Sequence, residues 1–272
     1  MTIGYQGEAH SYSHLASGEL FPGAERIGFA SFVAAFDALE NGEVECLVMP
    51  IENSTTGSVL PVLDRLVGNG VRIVAEHLVE VRHALLAHPS ATLETIEQVH
   101  SHPEALSQAQ GFLVHHGLEP MPEHDTAGAV RLVAERGDPR QAVLARPAAG
   151  EAHGLVVLKH DVIDRDHNTT RFVVLERGKA LVVPDGDKTS IVFETRHEPG
   201  ALALALTELG LRGANLTRIE SRPSETAWNY RMFVDLRHAP GSDGFTSVFE
   251  PPLANLASFL HLGTYKAATP AD

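Results

Sequence analysis

Cysteine is nearly missing from this chain: one residue, Cys46, stands in the apolar run Cys46-Leu47-Val48-Met49. A single thiol can build neither a disulfide framework nor a cysteine-rich zinc site. Its setting reads as a buried strand thiol rather than a nucleophile. Basic residues are also in short supply. Lys and Arg total 21 against 35 Asp and Glu, a formal net charge of −14. That deficit argues against nucleic acid or an anionic membrane as partner, because both need a basic footprint. No apolar run approaches the ~18 residues of a spanning helix. Met1-Thr2-Ile3-Gly4 lacks the basic-then-apolar order of a signal peptide, so a cytoplasmic location is expected. Sixteen histidines are many, yet none forms His-Glu-x-x-His, and His115-His116 falls where a helix is expected to end. No metal or other cofactor is expected.

What is there reads as α/β. Short apolar, β-branched runs at residues 2–5, 26–29, 45–49, 71–77, 82–87, 98–100, 141–145 and 170–175 predict strands. Between them, periodic stretches at 31–39, 60–67, 103–115 and 127–136 predict helices. Such alternation predicts largely parallel sheets covered by helices. Pro184-Asp185-Gly186-Asp187 is turn chemistry and breaks the pattern. Beyond it the order is strand (190–195), helix (201–211), strand (216–221), strand (229–236), a weaker helix (253–258) and strand (261–265). That is βαββαβ, the ferredoxin-like arrangement. Two domains are expected, residues 1–178 and 187–268.

Four polar segments of the first domain place donors at strand ends or helix starts. Tyr5-Gln6-Gly7 leads into His10-Ser11-Tyr12-Ser13, and Pro50-Ile51-Glu52 leads into Asn53, Ser54, Thr55 and Thr56. A helix start offers unpaired N–H groups to a carboxylate; the plainer reading is capping of the following helix. Ser101-His102-Pro103-Glu104 fits a capping box. Gln108 lies about two turns beyond Ser101, so both can face one side. Asn168-Thr169-Thr170-Arg171-Phe172 feeds a strand, where Arg171 is either a carboxylate clamp or, the plainer reading, a surface ion-pair partner.

In order, Pro50 to Ser54 with Gly57-Ser58, Ser101-His102-Pro103 with Gln108, and Asn168 to Phe172 resemble the prephenate dehydratase family. Tyr5-Gln6-Gly7 and Asp125-Thr126-Ala127 are similar too. Pro199-Gly200-Ala201-Leu202 and Glu220-Ser221-Arg222-Pro223 resemble the phenylalanine-binding motifs of that family's ACT domain. The resemblance runs over roughly residues 3–265. His10 stands where the family usually has glycine, Glu104 where it often has Gln, and Ala203 where it often has valine.

The resemblance implies a two-lobed catalytic domain like a type II periplasmic binding protein, followed by the ACT domain. It implies conversion of prephenate to phenylpyruvate without a cofactor, in a dimeric or tetrameric enzyme that senses phenylalanine. It makes Thr170, Ser101, Gln108 and Asn53 the catalytic candidates, with Arg171, Ser54, Thr55 and Ser11 binding substrate. Gly200, Ala201, Leu202, Glu220, Ser221 and Arg222 would hold phenylalanine. His102 is open between proton source and structural role. An arogenate dehydratase, working on the amino analogue, is the near alternative. A two-lobed solute receptor is the non-enzyme one, disfavoured by the missing signal peptide and the added domain.

Overall fold

The computed structural model describes residues 1–68, 70–164 and 168–269. The chain opens with β1 (Thr2–Gln6), α1 (Tyr12–Leu20), β2 (Glu25–Phe29), α2 (Phe32–Asn41) and β3 (Cys46–Asn53). It continues through β4 (Gly57–Ser58), α3 (Leu60–Leu66) and β5 (Val71–Glu80). It then crosses to a second lobe. That lobe holds β6 (Ala84–Ala87), β7 (Gln98–Ser101), α4 (Pro103–Gln108), α5 (Gln110–His116) and β8 (Glu119–Pro122). α6 (Thr126–Arg136), β9 (Gln141–Ala145), α7 (Pro147–Glu151) and β10 (Val156–Lys159) complete it. The chain returns as β11 (Thr169–Arg177), which enters the first sheet between β3 and β5.

Both sheets are mixed rather than largely parallel. The first runs β2-β1-β3-β11-β5, with β1 parallel to both neighbours and β11 antiparallel to both of its own. The second runs β10-β6-β9-β7-β8, parallel only around β7. In the first sheet the antiparallel member is the returning strand β11; in the second, β6 runs antiparallel to both β9 and β10. The expected single helix over 103–115 is two helices broken at Ala109. α7, β10 and the proline-flanked β8 are additions that short, weakly patterned segments did not predict.

The last third is β12 (Lys188–Thr195), α8 (Ala201–Leu211), β13 (Asn215–Pro223), β14 (Tyr230–Arg237), α9 (Gly241–Phe249) and β15 (Leu256–Tyr265). This is βαββαβ on an antiparallel sheet, β13-β14-β12-β15. The weaker helix lies at 241–249 rather than 253–258. Pro251-Pro252 cannot continue a helix, whereas Phe245, Val248 and Phe249 supply an apolar face upstream. One face of this sheet shares the first lobe's core: Val192, Phe233, Leu262 and Tyr265 cluster with Leu47, Ile73 and Leu175. β15 crosses β5 so closely that a Cβ on Gly263 would strike the Ile73 carbonyl. Only glycine allows that approach.

Candidate functional site

The two lobes face each other across a cleft of about 720 Å³. Its walls include Gly7, Ser11, Asn53, Gln108, Arg146 and Thr170. Thr170 is the second residue of the inserted strand β11 and pairs in register with Asn53 of β3. Side chains alternate along a strand, so Thr170 and Phe172 face the cleft while Arg171 points away.

A closed ring of hydrogen bonds fixes Thr170. Asn53 Nδ2 donates to Asn168 Oδ1 (2.7 Å) and to Thr170 Oγ1 (3.0 Å). Asn168 Nδ2 donates to Gln108 Oε1 (2.7 Å), and Gln108 Nε2 donates to Thr55 Oγ1 (3.1 Å). The Thr55 hydroxyl returns to Asn53 Oδ1 (2.5 Å). Gln108 comes from the second lobe, so the ring spans both. Because Thr170 Oγ1 already accepts from Asn53, its own proton is left to donate into the cleft. Asn168, 2% exposed, is a member that the expected site residues omitted. It heads the Asn-x-Thr-Arg-Phe run, and that position is the sequence signal for it.

Several expectations change. Arg171 is not a clamp in the cleft. Its guanidinium is buried on the opposite face of β11, bonded to Glu52 (3.1 Å), Glu76 (3.0 Å) and Asp235. Burial alone would lower its pKa, but those carboxylates outweigh it and hold the group well above its usual value. Asp235 behaves reciprocally: burial pushes it up, yet Arg171 and Arg218 keep it below the carboxylate range. Ser54 does not line the cleft either. Its backbone and hydroxyl pin Thr169, with N–H to carbonyl 2.9 Å and Oγ accepting the Thr169 N–H at 2.9 Å. Ser101 is fully buried on β7 and donates to the Leu144 carbonyl (2.8 Å). The N-cap of α4 is His102, whose Nδ1 accepts the Glu104 N–H (3.3 Å), so the Ser101–Glu104 capping box is not formed. Asn53 to Thr56 cap no helix. Asn53 Oδ1 accepts the N–H groups of Thr55 (2.9 Å) and Thr56 (3.1 Å) and closes the β3–β4 hairpin.

Ser11 lines the cleft as the N-cap of α1, its Oγ accepting the His14 N–H (3.2 Å). α6 opens toward the same space from its N-cap Asp125. His10 has φ 67°, the left-handed region that glycine usually fills. Glu104 accepts the Thr56 hydroxyl (2.5 Å) across the lobes. His83, also on the wall, is 5% exposed, its Nδ1 has no hydrogen-bond partner among the described residues, and burial lowers its pKa to about 4. Among the described residues, no three His, Cys, Asp or Glu side chains gather as metal ligands, and no helix is long and apolar enough to cross a membrane.

Gly200, Ala201 and Leu202 start α8 and line a separate depression of about 710 Å³. Glu220 and Arg222 on β13 turn instead toward the first lobe. Glu220 accepts the Ser58 hydroxyl (2.8 Å), and Arg222 forks onto Asp64 (2.9 and 2.7 Å). Ser221 lies between them on β13 and pairs in register with Met232. Within one protomer, the described residues do not bring these two segments to one cavity.

A family model described as prephenate dehydratase matches residues 3–180. A bifunctional N-acyl-homoserine lactone acylase/prephenate dehydratase of Komagataeibacter europaeus is 36% identical, over 85% of this chain and 83% of that protein. An arogenate dehydratase/prephenate dehydratase of Arabidopsis thaliana is 38% identical, over 98% of this chain and 73% of its own length. The crystal structure of prephenate dehydratase from Arthrobacter aurescens, in complex with L-Phe, superposes with a TM-score of 0.85 at 29% identity. It covers 100% of this chain and 92% of that one.

Proposed function

The chain belongs to the prephenate dehydratase family of lyases, and from that premise we propose that it eliminates water and carbon dioxide from prephenate to give phenylpyruvate. The observation that carries this reading is the placement of Thr170 Oγ1 on the cleft wall as acceptor from Asn53, which leaves its own proton for the departing oxygen. In the reaction the ring C–O bond breaks, and its electron pair leaves with the oxygen as water, with one proton consumed. The bond to the ring carboxylate breaks and delivers its pair to the ring, releasing carbon dioxide. Aromatisation drives both steps. What the protein adds is a fixed donor where negative charge grows on the departing oxygen. Asn53, Asn168, Gln108 and Thr55 hold that donor, and closure of the lobes excludes water from it.

Residues 1–178 form the catalytic unit in this reading, and residues 187–268 an ACT-type unit that binds phenylalanine. The phenylalanine-bound Arthrobacter relative and the depression at the start of α8 support it. The Komagataeibacter relative prompts a second reading, amide hydrolysis of an acylated lactone. That chemistry calls for a nucleophile bonded to a base, and among the described residues no hydroxyl on the cleft wall hydrogen-bonds a histidine ring nitrogen. Elimination is therefore the better supported of the two.

The test is turnover of prephenate by the purified chain, followed by phenylpyruvate release, with and without phenylalanine. Release that phenylalanine modulates is the expected result. No release from prephenate would overturn the assignment.

A further inference from the structure

With Arg171 committed to buried carboxylates, the dianionic substrate needs another cation. Among the described residues, Arg146 is the one Arg or Lys on the cleft wall. It follows β9, at the turn into α7, in the second lobe. Its Nη1 donates to the carbonyls of His10 (2.9 Å) and Ser11 (3.2 Å) in the first lobe. Its guanidinium lies 5.4 Å from the centre of the Tyr12 ring, a cation–π distance. Those contacts hold the fork from one side, and among the described residues no bond reaches Nε or Nη2.

Resting on the dehydratase reading above, we propose that Arg146 binds the side-chain carboxylate of the substrate and selects the keto acid over its amino analogue. Two carboxylates are on offer, and chemistry chooses between them. The ring carboxylate departs as neutral carbon dioxide, so an ion pair to it would be lost in the transition state and would slow the reaction. The side-chain carboxylate persists into product, and a pair to it orients substrate throughout. In the amino analogue an ammonium sits on the carbon next to that carboxylate, and the guanidinium meets a like charge there. The cleft's carboxylates are engaged elsewhere. Glu8 takes Arg131 at 2.8 Å, Asp125 caps α6 at Gly128 (2.7 Å), and Glu104 accepts Thr56.

The experiment is steady-state kinetics of the full chain with prephenate and with arogenate, for wild type, Arg146→Gln and Arg146→Lys. Gln keeps a donor for the His10 carbonyl and removes the charge; Lys keeps the charge and removes the fork. The wild type is expected to favour prephenate in kcat/KM. Arg146→Gln should raise KM for prephenate about 10- to 100-fold, the range of a lost charged hydrogen bond. kcat should stay near wild type, and the preference over arogenate should narrow. Arg146→Lys should fall between. An unchanged KM and an unchanged preference in an active Arg146→Gln enzyme would overturn the role of Arg146 alone. A wild type that turns over neither acid would overturn the dehydratase reading itself, and this role with it.

Discussion

Thr170 and Arg171 are chain neighbours with opposite fates. One faces the cleft, and the other sits among Glu52, Glu76 and Asp235. The alternation of a strand was enough to separate them, since residues 170–175 already read as β. The clamp role is what the family resemblance implies, and the face on which Arg171 lies excludes it. His10 was legible as a departure from glycine, and its φ of 67° shows why glycine is usual there. Its N–H donates to His14 Nδ1 (3.2 Å) and its carbonyl accepts from Arg146 Nη1 (2.9 Å), which together hold a conformation costing about 1–2 kcal/mol. His83 makes a pH prediction. Its folded pKa of about 4 lies below the ordinary 6.5. Between those values the unfolded chain binds a proton that the folded chain refuses. Stability therefore falls as pH drops from about 6.5 to 4, by up to roughly 3 kcal/mol. Thermal melts from pH 7 to 4.5 should show His83→Gln losing less stability than wild type; parallel curves would refute this.

β11 joins the cleft to the last third of the chain. Beneath it, Arg171, Lys188 and Arg218 interleave with Glu76, Asp235 and Glu52. The Asp235 carboxylate also takes the Ser190 hydroxyl (2.5 Å), and that hydroxyl meets Tyr265 (2.7 Å). Removing one member leaves buried charge unpaired, which costs about 3–5 kcal/mol. Arg171→Met should therefore lower stability by that amount in urea denaturation. A loss below about 1 kcal/mol would show the pairs to be relaxed by water. The sequence offers Arg171 as a surface ion-pair partner, but nothing in it marks the buried network. Its six residues lie on six strands from two sheets, and strand pairing over such separations leaves no local pattern. Elements with their own periodicity or turn chemistry, such as α8 and β9, were legible nearly to the residue. Short ones without it, such as β8 and α7, were not.

At the scale of the whole molecule, the cleft is closed by contacts from both sides: Thr56 to Glu104, Thr55 to Gln108, Glu8 to Arg131, and His10 to Arg146. The last third grips the same first lobe through Ser58 and Asp64, on the segment that follows the Asn53 hairpin. Hydrogen bonds from β13 therefore end at Ser58, five residues along the chain from Asn53 in the ring around Thr170. That ring is the core of the proposed chemistry, and one measurement addresses it directly: the kcat of Thr170→Val for phenylpyruvate formation from prephenate. The expected result is a fall of about 10²–10³ with KM little changed and the melting temperature retained, as for loss of one donor to a developing anion. A kcat within about threefold of wild type would place the departing oxygen elsewhere and contradict the site.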